Sequence, residues 1–255
     1  MNIRHSDHRN AHAPDGLRLY AVGDIHGRLD LLDALLELIV SDNAGREPKE
    51  TVVVFAGDYT DRGPDSKGVV DRLIRGLPPG LSPIFLKGNH ESFLLSFLQQ
   101  PASGLNWLYN GGVATLLSYG LQKELVTKAL LIGGSRLTEA SERFQARLPE
   151  SHLQFFEELE LYHRFGDYFF VHAGVRPGVG LEDQNEEDLL WIRDEFLNWP
   201  HDFGAVVVHG HTPVHTPEDY HNRIGIDTYA FQTGKLTAVG LEGPHRWFLS
   251  TNASV

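Results

Sequence analysis

The chain contains no cysteine in its 255 residues. Disulfides and thiolate metal ligands are excluded, although this absence by itself assigns no redox compartment. It also lacks any apolar run approaching the roughly 20 residues that cross a bilayer. The N-terminus is polar throughout, with no hydrophobic stretch resembling a secretion signal, so a cytoplasmic protein with no membrane partner is expected. Basic residues are scarce, 22 Lys and Arg against 34 Asp and Glu for a net charge of -12, and none of them cluster. A nucleic acid is therefore excluded as the main partner, because phosphate backbones are held by clustered Lys and Arg. There is no internal repeat and no low-complexity tract. The apolar fraction of 41% is that of an ordinary globular chain able to bury a sizeable core.

What the chain does have is a set of short glycine-containing signatures, each following an apolar run. LRLYAV precedes GDIHG, TVVVFA precedes GDYTDRG, PIFL leads to GNHE, YFFV to HAG, and AVVV to HGHTP. These runs read as buried strands. In an open α/β sheet, ligands collect beyond the carboxyl ends of strands, so residues distant in sequence can converge there. The candidates are Asp24, His26, Asp58, Asn89, His172 and His211. Taken singly, Gly23-Asp24 or Gly88-Asn89 reads as a tight turn, since Gly tolerates positive φ and Asx residues hydrogen-bond their own backbone. Taken together, carboxylate, imidazole and amide oxygen suit borderline divalent ions such as Mn, Fe or Zn. Asp58 opens the longest signature and is the natural bridge. Two such ions about 3.5–4 Å apart can share a water and lower its pKa.

These blocks, from Gly23 to Pro213 and in this order, resemble the signature blocks of the phosphoprotein phosphatase family of metallophosphoesterases, in its bacterial serine/threonine branch. The resemblance implies an α/β fold, a metallophosphoesterase-like four-layer sandwich in which two stacked mixed β-sheets are flanked by helices. It implies one divalent ion on Asp24, His26 and Asp58 and a second on Asp58, Asn89, His172 and His211, with Mn the most suitable in vitro. His90 would be the general acid, with Asp61 orienting it and keeping it protonated. Arg62 would bind phosphate, as would Arg193, whose setting LLWIRDEF resembles the family's W-x-R-x-x-F stretch. An arginine snorkelling from an amphipathic helix is the plain alternative for Arg193. Direct attack by metal-activated water would make a phosphoenzyme unnecessary.

The implied substrate is a phosphoester, foremost phosphoserine or phosphothreonine in proteins, with tolerance for phosphotyrosine and small aryl phosphates. GDYTDRG and GNHE point this way. The rival is a symmetrical diadenosine tetraphosphate hydrolase, whose branch usually carries a changed DRG block and GNHD. An inactive binding scaffold is a third reading, but it would have lost a ligand or the acid, and none is missing. Two departures stand out. Thr60 occupies a position where valine is usual. Tyr229, in IDTYAFQTGKLT, stands where glycine is usual and is a further candidate for touching substrate, with a surface aromatic beside a strand as the alternative.

Periodicity places strands near 17–22, 52–56 and 83–86, with helices over 28–40 and 67–77 between them, a parallel βαβαβ start. A helical insertion is expected over about 91–164, lying to one side of the site. Strands follow near 168–172, 205–209, 223–227, 235–241 and 245–249, with a helix from Leu189 to Trp199. Their close spacing suggests hairpins closing a second sheet. Residues 1–16 are expected to be a disordered tail, and 17–250 a single catalytic domain. His209 reads as a packed strand-end histidine, His215 and His221 as exposed, and the acidic stretch LEDQNEEDLL as a solvated approach to a helix.

Overall fold

The computed structural model describes residues 11–251. It begins with β1 (Leu17–Val22), α1 (Leu29–Ala44), β2 (Glu50–Phe55), α2 (Ser66–Ile74), β3 (Leu81–Phe85) and α3 (Asn89–Gln99). The insertion contributes α4 (Gly104–Trp107), a wide turn over Leu108–Gly112, then α5 (Val113–Ser118), α6 (Lys123–Ile132), α7 (Ser135–Gln145) and α8 (Glu150–Glu157). Next come β4 (Tyr162–Phe165), β5 (Tyr168–Val171), α9 (Glu186–Trp191), α10 (Asp194–Leu197) and β6 (Val206–His209). The chain closes with β7 (Glu218–Asp219), β8 (Arg223–Gly225), α11 (Ala230–Thr233), β9 (Thr237–Glu242) and β10 (His245–Ser250).

The strands form two five-stranded sheets, ordered β10-β9-β1-β2-β3 and β4-β5-β6-β8-β7. The alternation of side chains along each strand separates the layers. From β1 and β2, Leu19, Ala21, Val52 and Val54 pack with Tyr168, Phe170, Val206 and Val208 of the other sheet. Their neighbours Tyr20, Val22, Val53 and Phe55 face the other way, into a core shared with α1, α2 and the insertion. On the far side, Phe169, Val171 and Val207 pack with Leu189 and Phe196 of α9 and α10. Helices, sheet, sheet and helices make the four layers, and burial on both faces explains why these strands read as unbroken apolar runs. Among the described residues, no helix is long and apolar enough to cross a membrane.

Several expectations need correction. The β9–β10 hairpin joins the first sheet, with β9 antiparallel to β1 (Tyr20 opposite Gly240), and so closes no second sheet. Its inward residues Val239 and Leu241 complete the inter-sheet core, a long-range demand that local spacing does not carry. β8 pairs parallel to β6, not as part of a hairpin with it. The stretch expected to be helical to residue 164 ends in β4, antiparallel to β5. The helix expected from Leu189 to Trp199 is broken: Ile192 is extended, with ψ 143°, and Arg193 lies outside helical geometry. Of the expected tail, residues 1–10 lie outside the described part, but Ala11 and Ala13 are buried between the sheets. The Ala13 amide donates to Gly243 O at 2.9 Å and that of His12 to Asp167 at 2.9 Å. The acidic stretch runs into α9, where Asn185 caps the first turn by accepting from the Asp188 amide at 2.8 Å.

Candidate active site

The named residues meet at one end of the stacked sheets. His26 follows β1, Asp58 follows β2, Asn89 opens α3 after β3, His172 follows β5 directly, and His211 lies just past β6. All are buried. Among the described residues, the non-glycine positions in left-handed backbone are His26 (φ 45°), Asp58 (53°), Asp61 (73°), Arg62 (65°), His211 (62°) and Tyr229 (61°). Each is a residue singled out from the sequence, and each costs on the order of 1–3 kcal/mol unless its surroundings over-determine it.

Glu91 supplies much of that determination. Its carboxylate accepts the amides of Asp58 and Tyr59, both at 2.9 Å, of Gly88 at 3.1 Å and of Thr60 at 3.2 Å, and the Thr60 hydroxyl at 3.1 Å. Thus the glutamate of GNHE holds the GDYT backbone in its turn, and Thr60 uses a hydroxyl that valine would lack. Burial and then the nearby Asp58 push Glu91 up to about 7, while these donors favour its ionised form. A Cβ at Gly88 would press into the Asp58 carboxylate and amide. Gly88→Ala is therefore expected to lower kcat/KM by about tenfold or more through displacement of Asp58; kinetics alongside circular dichroism would separate this from unfolding.

The imidazoles are oriented by backbone carbonyls. His26 Nδ1 donates to Thr60 O and His172 Nδ1 to Ala56 O, both at 2.8 Å. This fixes the tautomer and turns each Nε2 lone pair into the site. His172 Nε2 then faces Asn89 Oδ1 at 2.8 Å, and His211 Nδ1 lies 2.9 Å from the same oxygen. Two lone pairs in contact require a proton or a cation between them, and burial lowers His172, which disfavours the proton. Burial likewise lowers His26, and burial with His172 brings His211 down to about 2. The carboxylate of Asp58 sits between these rings, 3.5 Å from His26 Nε2 through one oxygen and 3.5 Å from His172 Nε2 through the other. Although burial opposes its charge, the histidines around it, His172 first, hold it below the usual range. Two groups, His26/Asp58/His90 and Asp58/His172/His211, each have ligand atoms within 4.8 Å of one another, so the donors present fit cations sharing Asp58.

Asp24 falls outside these two groups. Its carboxylate accepts the His211 amide at 3.1 and 3.2 Å. Burial, then Asp227 and Asp58, push it up. Asp227 was not singled out from the sequence. It is buried beside Asp24 and pushed up to about 6, chiefly by burial. The run RIGI before it is the same strand-end signal that marked the others, so it was findable. Three buried carboxylates at one point are costly unless protons or cations join them.

His90 Nδ1 meets Asp61 Oδ2 at 2.6 Å, both residues buried. Burial disfavours the imidazolium, but Asp58 and Asp61 outweigh it and hold His90 above the ordinary histidine range. Arg62 lies 2.9 Å from His90 Nε2 and 2.9 Å from His26 Nε2. Arg193 sits at the break between α9 and α10 with its Nε donating to His211 Nε2 at 3.1 Å, so it lies in the site and does not snorkel from a helix. A cleft of about 490 Å³ opens above both arginines, walled by Tyr109, Tyr229 and Phe231. Tyr229 therefore lines the cleft, its ring 4.7 Å from that of Phe231.

His209 is outside this set. It is buried against Phe196, its Nδ1 meets Gly210 O at 3.0 Å, and its Nε2 has no hydrogen-bond partner among the described residues. Burial lowers it to about 3. Its neutral form thus stabilises the fold above pH ~6.5, and that contribution is lost as pH falls toward the folded value. Thermal melts of His209→Gln, which cannot gain that charge, are expected to fall off less steeply between pH 7 and 5 than those of the wild type. His215 and His221 are exposed, as expected.

Buried carboxylates and oriented imidazoles, with the His90–Asp61 pair and two arginines beside them, suit a metal-dependent phosphoester hydrolase centre. The chain belongs to the calcineurin-like phosphoesterase family, which it matches over residues 17–239. Similar sequences include the asymmetrical bis(5'-nucleosyl)-tetraphosphatase PrpE of Halalkalibacterium halodurans, 28% identical and covering 86% of this chain and 87% of that protein. PrpE of Bacillus subtilis is 26% identical, covering 85% and 87%. Among solved structures, one described as a candidate diadenosine tetraphosphatase superposes with a TM-score of 0.62 at 20% identity, covering 96% of this chain and 100% of that one. A yeast (Saccharomyces cerevisiae) protein serine/threonine phosphatase gives 0.52 at 15% identity, covering 94% and 81%. These structural likenesses are of fold.

Proposed function

We propose that the chain hydrolyses dinucleoside polyphosphates, a phosphoanhydride variant of metallophosphoesterase chemistry. The observation that carries this is the cleft itself: the flat rings of Tyr109, Tyr229 and Phe231 stand around Arg62 and Arg193, which suits a base and its phosphate chain together. Support also comes from the PrpE relatives, which align along most of both chains under that name. Their asymmetrical cleavage, in place of the symmetrical reaction that stood as the rival to a protein phosphatase, is the version proposed.

Asp24, His26, Asp58, Asn89, His172 and His211 would hold divalent ions, which supply Lewis-acid polarisation of the phosphoryl group and activation of water. Arg62 and Arg193 grip phosphoryl oxygens and offset the charge that builds on them. Arg62 can donate to His90 Nε2 only while that ring is neutral. Drawing the guanidinium onto a phosphoryl group frees Nε2 to take up a proton from solvent, which His90 then delivers to the leaving oxygen. Asp61 holds the ring's other nitrogen throughout.

A second reading, a phosphoserine or phosphothreonine protein phosphatase, is favoured by one observation. Beyond Arg62 and Phe231 lies a groove of about 710 Å³ bordered by Asp30, Asp33 and Asp65, the first two paired with Arg28 and Arg72, with room for the residues that flank a phosphoserine. The test is phosphate or nucleotide release by Mn-loaded protein from diadenosine tetraphosphate and from an arginine-flanked phosphoserine peptide. A higher kcat/KM on the dinucleotide is expected. A higher value on the peptide would overturn the proposal in favour of the second reading.

A further inference from the structure

We propose that Trp107 and Thr115, from the helical insertion, are positioning residues for proton delivery, fastening Asp61 so that His90 is held on the leaving group. The proposal rests on the reading of His90 as the general acid. Asp61 has two carboxylate oxygens, and the insertion claims both. Trp107 Nε1 donates to Oδ2 at 2.7 Å, the same oxygen that meets His90 Nδ1. Thr115 Oγ1 donates to Oδ1 at 2.5 Å and accepts the Asp61 amide at 2.9 Å. Both lie about fifty positions further along the chain than the residue they hold.

The backbone of the insertion is fitted to the same spot. Between α4 and α5, Gly111 accepts the Arg62 amide at 3.2 Å, with φ 119°. A Cβ there would lie 2.7 Å from Arg62 Cγ and 2.9 Å from its amide nitrogen. The wide turn therefore closes directly on Asp61-Arg62, which are themselves in left-handed backbone. Trp107 is fully buried, its ring 5.0 Å from Phe97 and 6.2 Å from Phe144, so the indole cannot drift from the carboxylate. An ionised carboxylate with donors on both oxygens keeps one orientation, and an imidazole hydrogen-bonded to it keeps one ring plane. A buried tryptophan and a buried threonine need partners in any core. Here the partner they share is the orienter of the acid.

Proton delivery matters most when the leaving oxygen is a poor leaving group, and that separates positioning from packing. Trp107→Phe and Thr115→Val would be assayed on aryl phosphates whose leaving phenols span a wide range of acidity, with His90→Asn as reference and Thr115→Ser as the conservative replacement. In the two variants kcat is expected to fall by about tenfold on phenyl phosphate and to stay near wild type on 2,4-dinitrophenyl phosphate. KM should be little changed, and Thr115→Ser should recover most of the loss. Equal losses across the series, with His90→Asn still leaving-group dependent, would overturn the positioning role alone. A His90→Asn protein showing no such dependence would instead remove the acid on which the proposal rests. Should Trp107→Phe fold poorly by circular dichroism, Thr115→Val carries the same test from the other oxygen.

Discussion

His90→Asn is expected to lower kcat by roughly 10²–10⁴-fold, the usual worth of a positioned general acid. The size of the loss should depend on the substrate. A nucleotide phosphate leaves as a stable anion and needs protonation less than a serine alkoxide does, so a dinucleoside polyphosphate should lose least and a phosphoserine peptide most. The pH profile should change as well. Because Asp58 and Asp61 raise His90, the ring stays protonated through the ordinary histidine range once Arg62 has moved onto a phosphoryl group, and activity declines as pH rises through the raised value. That alkaline limb is absent once asparagine, which does not titrate, replaces it. Steady-state kinetics over pH 5–9 on both substrates would check this. An alkaline limb of the same shape in both proteins would assign the titration to another group.

Asp58→Asn is expected to cost about three orders of magnitude or more in kcat/KM, as loss of a central preorganised charge does. Asp58 is the carboxylate common to both groups of prospective ligands, and the rings of His172, His90, His26 and His211 surround it and hold it below the usual carboxylate range. The effect should reach stability. At a concentration about 100 times its Kd, a bound cation stabilises the native state by about 2.7 kcal/mol, worth roughly 5–10 °C in Tm for a chain of this size. Differential scanning calorimetry should show that rise with Mn in the wild type and little of it in Asp58→Asn. An undiminished rise in the variant would place the stabilising ion elsewhere.

The candidate ligands were legible because each lies in a short glycine-containing signature after an apolar run, a local pattern that survives without any knowledge of the fold. His90, Asp61 and Arg62 were legible through the resemblance that those blocks carry, and Asp227 stands at the end of a strand expected near 223–227. Other features are set by long-range packing. Nothing near Trp107 or Thr115 marks them as partners of Asp61, since the contacts reach back 46 and 54 positions across α3, β3 and α2. The break at Ile192, which swings Arg193 toward His211, is invisible in LLWIRDEFL, whose apolar spacing suits an unbroken helix. The hairpin at the C-terminal end was legible as a hairpin, but its place on the open edge of β1 depends on Val239 and Leu241 filling the core between the sheets. Glu91 was visible as the last letter of GNHE. Its role in tying down the backbone from Asp58 to Thr60 needed the structure.

The most direct test is a titration of chelator-stripped protein with Mn, following hydrolysis of diadenosine tetraphosphate. Activity should be absent without metal and rise to a plateau near two equivalents per chain, the number a shared Asp58 implies. Full activity in the stripped protein, or none at any Mn concentration, would contradict a metal-dependent phosphohydrolase centre at these residues.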